Sequence, residues 1–212
     1  MLRPPAIDNT NVRTIVLPVG KGERTRESIL ERALELAAVD GLEGLTIGAL
    51  AAHSGLSKSG LFAHFGSKEA LQLATLKAAS NAFAGAVMGP ARSWPQGVER
   101  LRAIFENWLN WAERNEGGCL FVTAAVELDD RNGSAREFLA AQQRSWLDAL
   151  ARQAAFAARN GELKPDLDAE QFAFEMYGIY LGFHNARRLQ RDADAGRRAR
   201  AAFETLVQRN AA

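Results

Sequence analysis

The chain has 212 residues, 47% of them hydrophobic, which suits one good-sized domain or a small one joined to a larger one and argues against global disorder. Its 26 Lys and Arg against 25 Asp and Glu give a net charge of +1, so a nucleic-acid partner would have to be met by locally concentrated charge. The single cysteine, Cys119, excludes an intramolecular disulfide, and no uncharged run is long enough for a bilayer span or shaped like a secretory leader; a cytoplasmic protein is expected.

Residues 1–23 contain three of the six prolines and no helical period, and read as a loose arm. From Thr25, a plausible N-cap, Ile29, Ala33, Leu36 and Ala37 form one stripe of an amphipathic helix, and Gly41 is its expected stop. The next 25 residues, 44–68, contain no Asp or Glu. Within them Thr46 caps a short helix, with Leu45 and Leu50 at the spacing of a hydrophobic staple. Ser57 caps a second, with Leu56 and Leu61 repeating that spacing, and Ser54-Gly55 turns the chain between the two. This order is a helix-turn-helix, whose second helix enters a DNA major groove. Gly66 then breaks the chain and Ser67 caps a helix to about Met88, roughly 33 Å long at 1.5 Å per residue. Further helices are expected near 96–116, 119–128, 134–160, 168–191 and 194–208, with no strand, so the fold class is all-α.

On the second short helix Leu61 and Phe65 face inward, which leaves Lys58, Ser59 and Phe62 outside. Small residues there allow close approach to a groove wall, and the helix N-terminus suits a phosphate. Lys58 can reach a phosphate or a guanine edge, and Ser59 offers a donor and an acceptor. Lys68 sits where the helix dipole disfavours a cation, which a nearby anion would explain. Taken singly, Lys58 and Lys68 also read as solvated lysines, Phe62 as core and His64 as a satisfied buried histidine. The order of caps, staples, turn and long helix carries the argument.

The stretch from Thr25 to Leu71, "TRESILERALELAAVDGLEGLTIGALAAHSGLSKSGLFAHFGSKEAL", resembles the DNA-binding domain of the TetR family of bacterial transcriptional regulators over 47 residues without a gap. The resemblance implies a homodimer with one recognition helix per subunit in the major groove. It places Thr46, Ser57, Lys58, Ser59 and Gly60 on the operator and Phe62, His64 and Lys68 near phosphates, with Arg24 and Arg26 reaching the backbone from the arm. Gly60 stands where a threonine is common, and Phe62 and Ala63 where tyrosines are common. An operator of its own is expected in consequence. Residues 24–71 would be the reading head and 72–212 a sensing and dimerising unit.

In that second unit the helix from Asp168 carries Phe172, Met176, Ile179 and Phe183 on one face, and Phe174, Gly178, Leu181 and Gly182 on another. A helix apolar on both sides is covered on both sides. The resemblance implies that a second copy covers the outer side, which makes Gly178, Leu181, Gly182 and Asn185 dimer-interface candidates, with the core of a monomer as the other reading. Phe105, Trp108, Trp111 and Phe121, joined by Trp146, Phe174 and Tyr177, are candidates for a small-molecule pocket, although each reads first as plain core. Cys119 reads as a small buried hydrophobe before a thiol sensor. Glu127, Asp129 and Asp130 read as a solvated loop before a cation site. No nucleophile elbow, His-Glu-x-x-His or Cys-x-x-Cys motif is present, so neither enzyme nor cofactor is expected. The expectation is a ligand-responsive repressor that binds a palindromic double-stranded operator as a homodimer, with no membrane partner. The alternative is a helical interaction protein with weakened or lost DNA binding.

Overall fold

The structure, a computed structural model, describes residues 21–115 and 117–212, so the expected arm lies almost wholly outside the described residues. The first helix starts earlier than the Thr25 cap suggested. α1 (Lys21–Gly44) begins in charged residues, with Glu23 in the first turn favourable to the helix dipole. It bends where the sequence placed its stop: Gly41 has φ 77° and ψ 173°, a conformation a side chain would disfavour.

Next come α2 (Ile47–Ser54) and α3 (Lys58–Phe65), each opened by its expected cap. Thr46 Oγ1 accepts from the Ala49 amide at 3.0 Å, and Ser57 Oγ from the Gly60 amide at 3.1 Å. Gly55 closes α2 in the left-handed region at φ 70°, which sets the turn. α4 (Lys68–Phe83) is capped by Ser67 and runs on through a π-helical turn, Ala84–Met88, and a last short turn, Gly89–Ala91. Asn107 Nδ2 donates to the Val87 carbonyl at 3.0 Å and so satisfies an acceptor within that irregular turn.

The remaining helices fall close to the expected limits. They are α5 (Val98–Arg114), α6 (Leu120–Leu128), α7 (Ser134–Arg159), α8 (Ala169–Arg188) and α9 (Ala195–Arg209). Among the described residues there is no strand beyond a single bridge between Leu163 and Ala211, and no helix is long and apolar enough to cross a membrane.

Two buried clusters organise the chain. One joins α1, α2, α3 and the first half of α4 through Ile29, Leu36, Leu45, Leu50, Leu61 and Phe65, and reaches Leu120, Ala124, Leu128 and Leu139. The other, around Phe105, Trp108, Leu150, Met176, Tyr180 and Phe203, holds the C-terminal helices together. The core of the reading head thus does not stop at residue 71. α6 and the start of α7 complete it, and Phe121 packs against both clusters.

Candidate nucleic-acid interface and effector cavity

α3 has two contrasting sides. Leu61 and Phe65 are buried against α2, whereas Ser57, Lys58, Ser59, Gly60, Phe62 and Ala63 are exposed, Phe62 by 59%. The second staple does not close: Leu61 is buried but Leu56 stays 40% exposed, which adds an apolar edge to the turn. Lys58 passes close to Gly48 of α2, and the hydroxyls of Ser57 and Ser59 stand 3.4 Å apart. Thr46 is partly buried, its hydroxyl spent on the cap. His64 is partly exposed beside Phe65, with ring centroids 6.3 Å apart.

Arg24 and Arg26 project from α1, not from an arm. The Arg26 guanidinium lies 5.3 Å from the centroid of the Phe65 ring and so braces α3 through a cation–π contact. Arg24 and Arg32, two turns apart, line a groove with Ser28, Ser54 and Leu56. Arg32 was missed in the sequence because it was read only as the polar side of an amphipathic helix; the eight-residue spacing from Arg24 was its signal.

The anion expected beside Lys68 is internal. Lys68 Nζ lies 3.1 Å from Glu43 Oε2, and Arg131 reaches the other oxygen of the same carboxylate at 2.8 Å. Lys68, then Arg131, holds Glu43 below the ordinary carboxylate range. On the far side Glu69 Oε1 accepts from both the amide and the hydroxyl of Ser134 at 2.8 Å, and these bonds lower its pKa too. The two acids bordering the acid-free stretch are therefore both engaged with groups of the C-terminal unit. Glu127 does the same work and is not part of a solvated loop. Its Oε2 accepts from the Leu42 and Glu43 amides at 2.7 and 3.1 Å, and a Cβ on Gly41 would come within 2.0 Å of its Oε1. Gln72 Nε2 donates to the Leu42 carbonyl at 2.7 Å from the opposite side of this turn.

The C-terminal unit contains a narrow cavity walled mainly by aromatic rings. Trp108, Phe121, Trp146 and Tyr177 line it as expected, and Phe83, Val122, Gln142, Gln143, Tyr180 and Cys119 complete it. Phe83 sits edge-on to Trp146 at 4.9 Å and to Phe121 at 5.6 Å, while Trp108 stacks on Tyr180 at 3.9 Å. Three expected members lie elsewhere. Phe105 stacks on Phe203 at 4.5 Å within the core. Trp111 packs on Phe83 at 5.8 Å but lines a separate cleft with Leu34, Val39 and His53 of the reading head. Phe174 is 65% exposed on the outer face of α8.

Burial pushes the Cys119 thiol up, so it is neutral and behaves as a small apolar group. Its amide donates to His184 Nε2 at 3.4 Å, and burial, with Arg188 nearby, keeps His184 below its ordinary value. The outer face of α8 carries Phe174, Gly178, Leu181, Gly182 and Asn185, all exposed, and nothing lies within 4 Å of a Cβ placed on either glycine. The inner face buries Phe172, Met176, Tyr180 and Phe183.

Comparison with known proteins agrees with this geometry. Residues 29–75 match the family model described as bacterial regulatory proteins, tetR family, and residues 97–203 match that of the tetracyclin repressor-like C-terminal domain. No curated protein matches the chain in sequence. Among solved structures, a TetR-family transcriptional regulator from Cytophaga hutchinsonii superposes with a TM-score of 0.81 at 22% identity, covering 91% of this chain and 97% of that one. A TetR transcriptional regulator from Chloroflexus aurantiacus gives 0.75 at 29% identity, covering 89% and 94%. AibR, in complex with isovaleryl coenzyme A and operator DNA, gives 0.71 at 25% identity, covering 87% and 98%. With both halves of the chain matched and the reading helix, its caps and the C-terminal helices in place, the chain belongs to the TetR family of transcriptional regulators, which are not enzymes.

Proposed function

We propose that this protein is a ligand-responsive repressor of the cytoplasm that binds a palindromic operator as a homodimer and changes its DNA affinity when a small molecule enters the C-terminal cavity. The observation that carries this reading is the two-sided α3. Its apolar side is fixed in the core, while Ser57, Lys58, Ser59, Gly60 and Phe62 stand exposed on an edge with no acid between residues 44 and 68. Lys58 and Ser59 would read bases or phosphates, Phe62 would meet a thymine methyl, and Arg24 and Arg26 would follow the backbone. His64 and Lys68 would lie near phosphates, Lys68 by exchanging Glu43 for DNA. The open outer face of α8 supports a second copy as its cover, since Gly178 and Gly182 leave room for close helix approach beside Phe174 and Leu181. The complex of AibR with an acyl coenzyme A and operator DNA supports an effector in the same kind of fold.

Transmission would run through α6. Phe121 and Val122 line the cavity, and Glu127, about two turns further on, grips the Gly41 turn of the reading head. A ligand that shifts α6 would alter the separation of the paired recognition helices, and the binding equilibrium with it. Fluorescence anisotropy with duplexes from upstream of the protein's own coding sequence, at two salt concentrations, tests the proposal. Steep loss of affinity with salt together with preference for a palindrome is expected. Sequence-blind, salt-insensitive binding would instead favour a helical interaction protein, a reading to which the Lys68–Glu43 pair lends some support because it occupies a cation otherwise free for phosphate.

A further inference from the structure

Two residues of the cavity wall carry a buried polar atom that the fold leaves without a partner. Trp146 Nε1 and Tyr180 OH, on residues of the wall, are buried and make no hydrogen bond; the only other such side-chain atom among the described residues, Gln153 Oε1, belongs to a residue outside the wall. The Cys119 thiol and the Trp108 indole are the polar neighbours of Tyr180, and neither satisfies its hydroxyl. Gln143 Nε2 donates to Tyr177 OH at 3.3 Å, so those two groups already engage each other. An unpaired buried donor weakens folding by roughly 5- to 150-fold in equilibrium terms, so a core built only for packing would place Phe at position 180.

The chemistry of the wall narrows what could satisfy these atoms. No charged side chain lines the cavity, so an anion or cation would enter an apolar chamber without a counterion. An indole N–H can only donate, so the partner of Trp146 must be an acceptor. Most of the remaining wall is ring surface, from the stacked Trp108 and Tyr180 to the edge-on Phe83 and Trp146, with Val122, Cys119 and the neutral amides of Gln142 and Gln143 filling the rest.

We infer that the effector is a small uncharged carbonyl compound with a flat, apolar body, its oxygen accepting from the Trp146 N–H, the Tyr180 O–H or both. This rests on the reading of the cavity as the effector site. A quaternary ammonium would also find aromatic faces there, but it would leave the indole N–H unpaired.

Isothermal titration of the full-length protein with four matched single-ring probes tests the inference. Acetophenone and α-methylstyrene have the same shape and differ in a carbonyl oxygen; phenyltrimethylammonium and benzoate add a cation and an anion. Acetophenone is expected to bind at least about fivefold more tightly than α-methylstyrene, with both ions weaker. Tyr180→Phe and Trp146→Phe should each shrink that ratio chiefly by weakening acetophenone. Equal affinities, a preference for either ion, or a ratio unmoved by both substitutions overturns the carbonyl assignment while leaving the cavity as an effector site. No binding of any probe overturns both.

Discussion

The reading face of α3 and the effector cavity follow opposite rules. On the reading face the exposed groups sit on helices whose starts are already capped, the short α2 and α3 by Thr46 and Ser57 and the longer α4 by Ser67. The proposed DNA-facing surface is complete before any partner arrives, and of its charged side chains Lys68 is paired with Glu43 and Arg26 packs over Phe65. In the cavity two buried donors wait for a partner that the chain does not supply. The difference teaches where stability and function compete: scarcely at a solvated edge, directly among the aromatic rings of a core.

The largest effect that can break this contrast comes from the buried side of α3. Leu61→Ala removes a fully buried side chain and should cost about 2–5 kcal/mol in denaturant unfolding, with DNA binding lost alongside; a cost below 1 kcal/mol would show that α3 is not anchored as described. Next in size is the clasp between the two units. Glu127→Ala leaves the Leu42 and Glu43 amides without their acceptor and should cost about 1–3 kcal/mol, read most directly as faster hydrogen exchange at those two amides. Unchanged exchange would remove Glu127 from the coupling path.

Acid should weaken the molecule in two stages. His184, kept neutral by burial and by Arg188, resists protonation more in the folded than in the unfolded chain, so its contribution is lost as pH falls below about 6.5. Glu43, Glu69 and Glu106 are more acidic folded than unfolded, held by Lys68, by the Ser134 amide and by Arg200 respectively. Their contribution is present above about pH 4.3 and disappears as pH falls through their folded values. A urea midpoint that stays flat from pH 7 to pH 3 would contradict both stages.

The smallest effects sharpen the comparison. Tyr180→Phe should leave stability unchanged or raise it by up to about 1 kcal/mol, since the hydroxyl it removes has no partner; a loss above 1 kcal/mol would mean that the hydroxyl is satisfied in the unliganded protein. Lys58→Ala should change stability by less than about 0.5 kcal/mol yet lower the salt slope of DNA binding by about 1 per half-site. An unchanged slope would take Lys58 off the phosphates.

The reading head was legible because its signals are local. Caps three residues from the amides they satisfy, a glycine in a turn, and four-residue apolar spacing can all be read along the chain, and they placed α2, α3 and the start of α4. The cavity was half legible. Trp108, Phe121, Trp146 and Tyr177 could be named as aromatic, but whether a ring faces a void or its neighbours depends on how α5, α7 and α8 rotate against one another. That rotation sent Phe105 onto Phe203 and Phe174 outward, and brought in Phe83 and Tyr180. The clasp was illegible for the same reason, since Glu127 and Gly41 meet across 86 positions with no local pattern to pair them.

Hydroxyl-radical footprinting on the upstream duplex tests the central claim most directly, because it reports where on the helix the protein sits. The account predicts two protected stretches of sugar–phosphate backbone on one face of the DNA, their centres about 34 Å apart or a multiple of it, with Ser59→Ala reducing discrimination between the palindrome and random sequence. A single patch, or protection spread evenly along the duplex and indifferent to Ser59, would contradict it.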